Sequence, residues 1–400
     1  MQANIKILWV NPSFLDYRVP LYGRLYQLTN KKFKLIYSQN RVPERVNKKV
    51  KKEMGEDAIA LPNERYLQIG KEEKGFANEY IKIPFQPKLL KTILKTEVDI
   101  IIAEGFFQWT PYVIIKKILH RKPLLIAYER TKHTEKNSPL WRTVYRKFVS
   151  KFADGFIANG ILTKEYLVDV LKVKDDKIYI GGMSADNDNL IKKLNSFPLE
   201  KQKEFKFNMI KHKADSLIYL YVGQLIERKG IMTMIKAWQA FKETNKEGIL
   251  IIVGEGNLRE NIENYIASNS IKDIIITGKI DYDEIYKFFA IADILIMPTL
   301  EDNWSLVVPE AMSCKLPIAC SIYNGCWPEL ITHDNGWLFD PLNLNEFVDT
   351  LIQIDNNKVF LSKMGEKSFE IVQNFSPNKV AENILSACHS TMKKLNKVKS

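Results

Sequence analysis

Four cysteines and five histidines in 400 residues are too few and too scattered for a protein organised around metal or disulfides. Cys314, Cys320 and Cys326 fall six apart and Cys388 stands alone, so no pair has the spacing of a zinc site. Such thiol usage suits a reducing compartment. Long apolar runs are missing too. The longest apolar stretch, 98–119, is broken by Glu104, Gln108, Lys116 and Lys117, short of the roughly 18–20 residues that span a bilayer. The sequence opens with the strand-like IKILWV, which holds the single lysine of its first ten residues, without the layout of a signal peptide. The expectation is a cytoplasmic protein, at most peripheral on the inner face of the cytoplasmic membrane. Internal repeats and low-complexity tracts are also lacking.

What is present is ordinary core material, 46% hydrophobic against 26% charged residues. There is also an excess of cations, with formal net charge +12 and an isoelectric point near 9.2. That balance points either to an anionic partner (nucleic acid, anionic lipid, a phosphorylated substrate) or to a lysine-rich solvated face. The basic residues gather early, at Lys31, Lys32 and Lys34 and across 41–52.

The length predicts two domains. Strand-like runs at 5–10, 34–37, 99–103, 124–128, 155–158 and 177–180, then at 217–222, 249–253, 274–277, 294–297 and 318–321, alternate with helix-length amphipathic stretches. Their near-continuous apolar character suits parallel strands buried on both faces. The predicted class is therefore α/β, with two doubly wound units. The polar segment 183–216 reads as a linker with a short helix at best, and 378–395 as a last amphipathic helix. The predicted division is 1–190, 191–376 and a terminal helical segment 377–400 packing back toward the first domain. In such sheets ligands bind beyond the carboxyl ends of the strands.

Three segments of the second half carry chemistry. The run Gly223-Gln224-Leu225-Ile226-Glu227-Arg228-Lys229-Gly230 is a glycine turn after a first strand, with cations ahead of a helix. It either holds a diphosphate or is a commonplace strand–turn–helix. Val253-Gly254-Glu255-Gly256 is a second glycine turn, lacking the third glycine of a dinucleotide fingerprint. The most informative segment runs from Thr299 to Met312. It leaves a strand and places Asp302 and Glu310 at a helix entry with seven residues between them. With the helix starting near Ser305, Glu310 falls in its second turn. The free amides of Trp304, Ser305 and Leu306 then make an anion site. A carboxylate at Glu310 suits two vicinal hydroxyls, as a ribose presents them, and Asp302 suits sugar hydroxyls. The plain alternative is an acidic first turn that only complements the helix dipole.

This order of features (glycine turn with lysine, Gly-Glu-Gly turn, apolar strand after Asp293, then Asp302-x7-Glu310-Ala311-Met312) resembles the retaining glycosyltransferases of family 4, within the glycosyl transferases group 1. The likeness covers the second domain and, loosely, the first. Residues 293–317 carry it most specifically. The resemblance implies the GT-B fold, two Rossmann-like doubly wound domains facing a central cleft, and a nucleotide-sugar donor, UDP- or GDP-linked, with no cofactor required. It implies that Glu310 holds the ribose hydroxyls, Asp302 touches the donor sugar, and Lys229 neutralises the diphosphate. Ser305 and Leu306 offer amides to that group. The turn Gly278-Lys279-Ile280 cradles the base through its main chain, and Gly223 and Trp304 complete the donor set. Two departures stand out: Gln224 where the family commonly has Arg, with Arg228 as the substitute cation, and Asp302 where it usually has Glu.

On the acceptor side, the strand beginning at Pro123 leads to Glu129 where the family often has histidine. Glu129 either takes the acceptor proton, or stabilises charge on the sugar ring, or pairs with a loop cation such as Arg130. His133, Arg18 and Glu104 are further acceptor-side candidates. The stretch 141–152 has aromatics at helical spacing with cations between them. It is either a helix packing its aromatic stripe on the sheet or a basic amphipathic surface lying on anionic lipid. The second reading fits a lipid-linked acceptor in cell-envelope polysaccharide synthesis. Asp186-Asn187-Asp188 and Asp281-Tyr282-Asp283 imitate a metal-binding pair but read better as turn and cap residues, so no metal site is expected. Two other functions remain at this stage: a nucleotide-sugar epimerase, and a non-enzymatic basic module binding membrane or nucleic acid. The second leaves the Asp302-to-Glu310 pattern unexplained, and no nucleic-acid partner is expected.

Overall fold

The computed structural model describes residues 4–69, 81–211 and 216–399. The chain divides into two compact units, 4–69 with 81–186 and 375–399, and 187–211 with 216–374.

In the first unit the strands are β1 (Ile7–Val10), β2 (Phe33–Ser38), β3 (Ala58–Leu61), β4 (Arg65–Ile69), β5 (Ile81–Phe85), β6 (Ile100–Glu104), β7 (Leu124–Tyr128), β8 (Gly155–Ala158) and β9 (Ile178–Ile180). Among the described residues, seven of them form one parallel sheet in the order β3-β2-β1-β6-β7-β8-β9. β4 and β5 make a separate antiparallel ribbon. Both faces of the main sheet are covered, which is why β1 is apolar along its whole length and buried throughout. Helix Glu44–Met54 shows the complementary rule. Val46, Val50 and Met54, four apart, are its buried residues, and its lysines face away. Helix Pro377–Lys399 packs on helix Arg18–Leu28, seating Val380, Ala381, Ile384, Ala387 and Cys388 in the first unit's core.

In the second unit the strands are β10 (Ile218–Val222), β11 (Ile249–Val253), β12 (Ile274–Gly278), β13 (Ile294–Met297), β14 (Ile318–Ser321) and β15 (Gly336–Phe339). All pair in parallel, in the order β12-β11-β10-β13-β14-β15. This is the 3-2-1-4-5-6 order of a dinucleotide-type sheet, whose switch point lies between its first and fourth strands.

Several expectations need correction. The supposed linker contains two helices, Asn187–Asn195 and Leu199–Ile210. They are tied to the second unit by ring contacts, Phe197 to Tyr286 at 5.5 Å and Phe205 to Phe288 at 5.3 Å. A few aromatics among many charges were enough to anchor them. β3, β15 and the β4–β5 ribbon also lay outside the predicted strands. β15 opens on Gly336, where a Cβ would lie 2.1 Å from the Ile318 carbonyl oxygen. A glycine reads as a breaker in sequence, and here it is what allows two backbones to pair closely. Among the described residues all four cysteines are free and buried. No described helix is long and apolar enough to cross a membrane.

Candidate active site

At the switch point of the second sheet, the segments that follow β10 and β13 leave the carboxyl ends of adjacent strands. The first carries Arg228 and Lys229; the second carries Asp302 and runs into helix Val307–Ser313. The Arg228 carbonyl accepts from Leu300 N at 2.8 Å and from Thr299 Oγ1 at 3.1 Å. The Arg228 Nη1 donates to the Glu301 carbonyl at 3.2 Å. Lys229 Nζ hydrogen-bonds and ion-pairs with Asp302 Oδ2, both side chains largely buried.

Gly230 makes this approach possible. Its φ is +67° and a Cβ there would sit 2.0 Å from the Pro298 carbonyl oxygen. The Gly230→Ala protein should lose at least about 2 kcal/mol of stability, from left-handed backbone strain plus a clash with main chain. Urea unfolding measures this. Glycines of the Gly-Glu-Gly turn act similarly. Cβ atoms at Gly254 and Gly256 would lie 1.8 and 2.3 Å from the carbonyl oxygens of Gly223 and Leu225, so these glycines let two turns pack backbone to backbone.

Asp302 ties the site together. Oδ2 accepts from Ser305 Oγ at 2.6 Å, and Oδ1 from Trp304 N at 3.3 Å. Its backbone bridges to the segment after β14, accepting from Gly325 N at 3.0 Å. Burial alone would raise the Asp302 carboxyl, but the Lys229 ammonium and Arg228 guanidinium outweigh it and hold the group below its ordinary value. A depressed acid contributes stability that is complete above its unfolded value, near 3.8, and lost as pH falls through the lower folded value. Between about pH 5 and 2.5 the melting temperature should therefore fall more steeply for the native protein than for Asp302→Asn. Parallel melting curves would contradict this assignment.

The helix begins at Val307, two residues later than expected, which puts Glu310 in its first turn. Two of the three amides expected to be free are occupied. Trp304 N donates to Asp302, and Ser305 N donates to Asn324 Oδ1 at 3.2 Å. The short side chains of Asp302 and Asn324 reach back to cap this entry themselves. The Leu306 N–H has no acceptor among the described residues. Glu310 is buried, and its Oε1 accepts from the Tyr282 hydroxyl at 3.1 Å. Tyr282 follows the Gly278-Lys279-Ile280 turn, where Lys279 is exposed and Ile280 half-buried.

Asn324 and Tyr282 were not among the residues expected to matter to the site. Asn324 is fully buried, and its Nδ2 has no acceptor among the described residues. An asparagine before Gly325 in the loop after β14 was the available signal. Asp281 supplies no side-chain cap, and Asp283 pairs with Lys193. Among the described residues no group of three metal-ligating side chains occurs.

Residues 202–371 match the family described as glycosyl transferases group 1. The second unit thus carries a glycosyl transferases group 1 match, and the chain is a glycosyltransferase. An uncharacterized glycosyltransferase of Methanocaldococcus jannaschii is 24% identical over 291 residues, 72% of this chain and 75% of that protein. The Escherichia coli UDP-Gal:alpha-D-GlcNAc-diphosphoundecaprenol alpha-1,3-galactosyltransferase is 24% identical over 238 residues, 58% of this chain and 59% of that one. Among solved structures, HepE of Anabaena in complex with UDP superposes with TM-score 0.71 at 14% identity, covering 96% of this chain and 100% of that one. The fold is GT-B, two parallel α/β units.

In the first unit of this glycosyltransferase the switch point lies between β1 and β6, and again a cation meets a carboxylate there. Arg18 donates to Glu104 Oε1 at 3.2 Å and to the Gly182 carbonyl at 3.2 Å. Trp9 Nε1 donates to Glu104 Oε2 at 2.9 Å. Burial pushes the Glu104 carboxyl up, with Arg18 opposing and the Glu129 charge adding to it. Arg18 is itself buried, 3% exposed, so it positions Glu104 instead of standing open to solvent. Glu129 follows β7 and is half-buried, as is His133. The neighbouring Arg130 pairs with Glu135 at 3.3 Å.

Proposed function

We propose that this glycosyltransferase moves a sugar from a nucleoside-diphosphate donor, UDP- or GDP-linked, to an acceptor hydroxyl, with retention at the anomeric carbon. The observation that carries the reading is the pair of segments at the second switch point. There a largely buried cation, Lys229, and a buried carboxylate, Glu310, flank a helix entry. Lys229 and Arg228 neutralise the departing diphosphate, assisted by the Leu306 N–H and the Asn324 amide. Glu310 grips the ribose hydroxyls, sharing its carboxylate with Tyr282. Asp302 is the counterion that holds Lys229 in readiness, with acceptor capacity left for a donor-sugar hydroxyl. The main chain at Lys279 and Ile280 meets the base. With these cations in place, neither metal nor cofactor enters the proposal. The UDP held by HepE supports a uridine donor among the choices.

On the acceptor side the proposal assigns Glu129 to the acceptor proton or to the charge on the sugar ring, with Glu104 and His133 lining the acceptor and Arg18 behind Glu104. The acceptor is a glycan or lipid-linked sugar of cell-envelope polysaccharide synthesis. The E. coli relative, whose name includes a diphosphoundecaprenol-linked sugar, supports that class. So does helix Leu140–Ser150, where Leu140, Trp141, Val144 and Phe148 are exposed beside Lys147 and Lys151, a face suited to anionic lipid on the inner side of the cytoplasmic membrane.

A panel of UDP-, GDP- and dTDP-sugars, followed by mass spectrometry with and without membrane extract, tests this reading. Acceptor-dependent release of one nucleotide is expected. Interconversion of nucleotide-sugars would point to an epimerase, and no donor use would remove the reading.

A further inference from the structure

The first three strands of the second unit lie side by side in the order β12-β11-β10, and each ends in a glycine turn. Main chain alone stitches these turns together. Gly223 N donates to the Val253 carbonyl at 3.0 Å, and Gly254 N to the Gly278 carbonyl at 3.0 Å. A floor of peptide groups therefore runs outward from the switch point at the carboxyl ends of the strands. It ends at Gly278, two strand spacings or roughly 10 Å from β10, a reach that suits a nucleoside extended from its diphosphate. The hydroxyl of Tyr282, four residues beyond Gly278, donates to Glu310 at 3.1 Å. The outer end of the floor is thus tied to the carboxylate proposed to hold the ribose.

A guanidinium stands over that outer end. Arg259 Nη1 lies 2.8 Å from where a Cβ of Gly278 would be, and Glu255 Oε2 lies 3.4 Å from the same point. The guanidinium is clamped in place. Its Nη1 donates to Glu255 Oε2 at 2.6 Å, and its Nε to Glu263 Oε1 at 2.9 Å. Surface ion pairs of this kind add little stability, which gives small reason for a guanidinium folded back onto a strand end. Two of its five N–H groups go to the two carboxylates, and its side chain is 35% exposed. The rest of the fork can therefore reach a ligand lying over the Gly278 turn. What it recognises follows from its chemistry, because guanidinium has donors and no acceptor. It favours a ring edge that presents a carbonyl oxygen and opposes one that presents an amino group. Uracil and guanine carry such an oxygen, where cytosine and adenine carry an amino group.

We propose that Arg259 is a specificity-determining residue that reads the base of the donor, taking an oxo-base and opposing its amino counterpart. The assignment rests on the proposed function, with the base at the Gly278-Lys279-Ile280 turn. Calorimetric titration of the native chain and of Arg259→Met with UDP, CDP, GDP and ADP tests it. One oxo-base nucleotide, UDP or GDP, should bind the native chain at least about tenfold more tightly than its amino counterpart, CDP or ADP. Arg259→Met should erase that preference, weakening the oxo-base nucleotide about tenfold or more and leaving the amino one near its native affinity. Arg259→Lys keeps the charge without the fork and should restore only part of the preference. An unchanged preference in Arg259→Met, or an equal loss for both members of a pair, overturns the assignment and leaves the proposed donor site standing. A native chain that binds CDP or ADP as tightly as the matching oxo-base nucleotide also overturns it. Failure of the native chain to bind any of the four nucleotides removes the donor site itself, and this assignment with it.

Discussion

Lys229→Met should lower turnover at saturating donor by about 10²–10³-fold, the loss typical of removing one preorganised donor to developing charge. In the proposed reaction the sugar–phosphate bond breaks with charge building on the diphosphate, and Lys229 is the ammonium at the second unit's switch point. The substitution also strands Asp302, whose lowered carboxyl depends on Lys229 and Arg228 to offset its burial. Leaving one member of a buried pair unpaired costs about 3–5 kcal/mol, so some lost activity could reflect a disturbed loop. The double variant Lys229→Met with Asp302→Asn separates the two effects. Stability should return toward that of the native chain, while turnover should stay low. Turnover that returned with stability would assign Lys229 a purely structural part.

Glu310→Ala should weaken donor binding by about 1.5–3 kcal/mol, roughly 10–150-fold in Kd. The carboxylate is buried and accepts a hydrogen bond from the Tyr282 hydroxyl at 3.1 Å, and a charged acceptor for two vicinal hydroxyls is worth that much. Calorimetry with UDP measures the loss. The same substitution should cost little when the nucleotide is the 2′,3′-dideoxy analogue, because the hydroxyls that the proposal assigns to Glu310 are gone. An equal loss with both nucleotides would place the ribose elsewhere.

The two-unit fold was legible because buried parallel strands must be apolar along their length, and β1, β10 and β11 are. The spacing of Asp302 and Glu310 was legible because one short segment carries both. What escaped depended on partners distant in sequence. Asn324 reaches Ser305 across 19 residues and Tyr282 reaches Glu310 across 28, distances set by strand order. For the same reason the entry amides of Trp304 and Ser305 looked free. Periodicity displayed the aromatic stripe of helix Leu140–Ser150 but not its orientation. Glu135, lying in a preceding loop, decides that Arg146 turns inward.

The central claim is that the donor sugar leaves a nucleoside diphosphate and reaches the acceptor with its configuration kept. The most direct measurement is the anomeric proton coupling of the product formed from an α-linked nucleotide-sugar. The account predicts the small coupling of an α-linkage in a gluco- or galacto-configured product, and the large coupling of a β-linkage would contradict it.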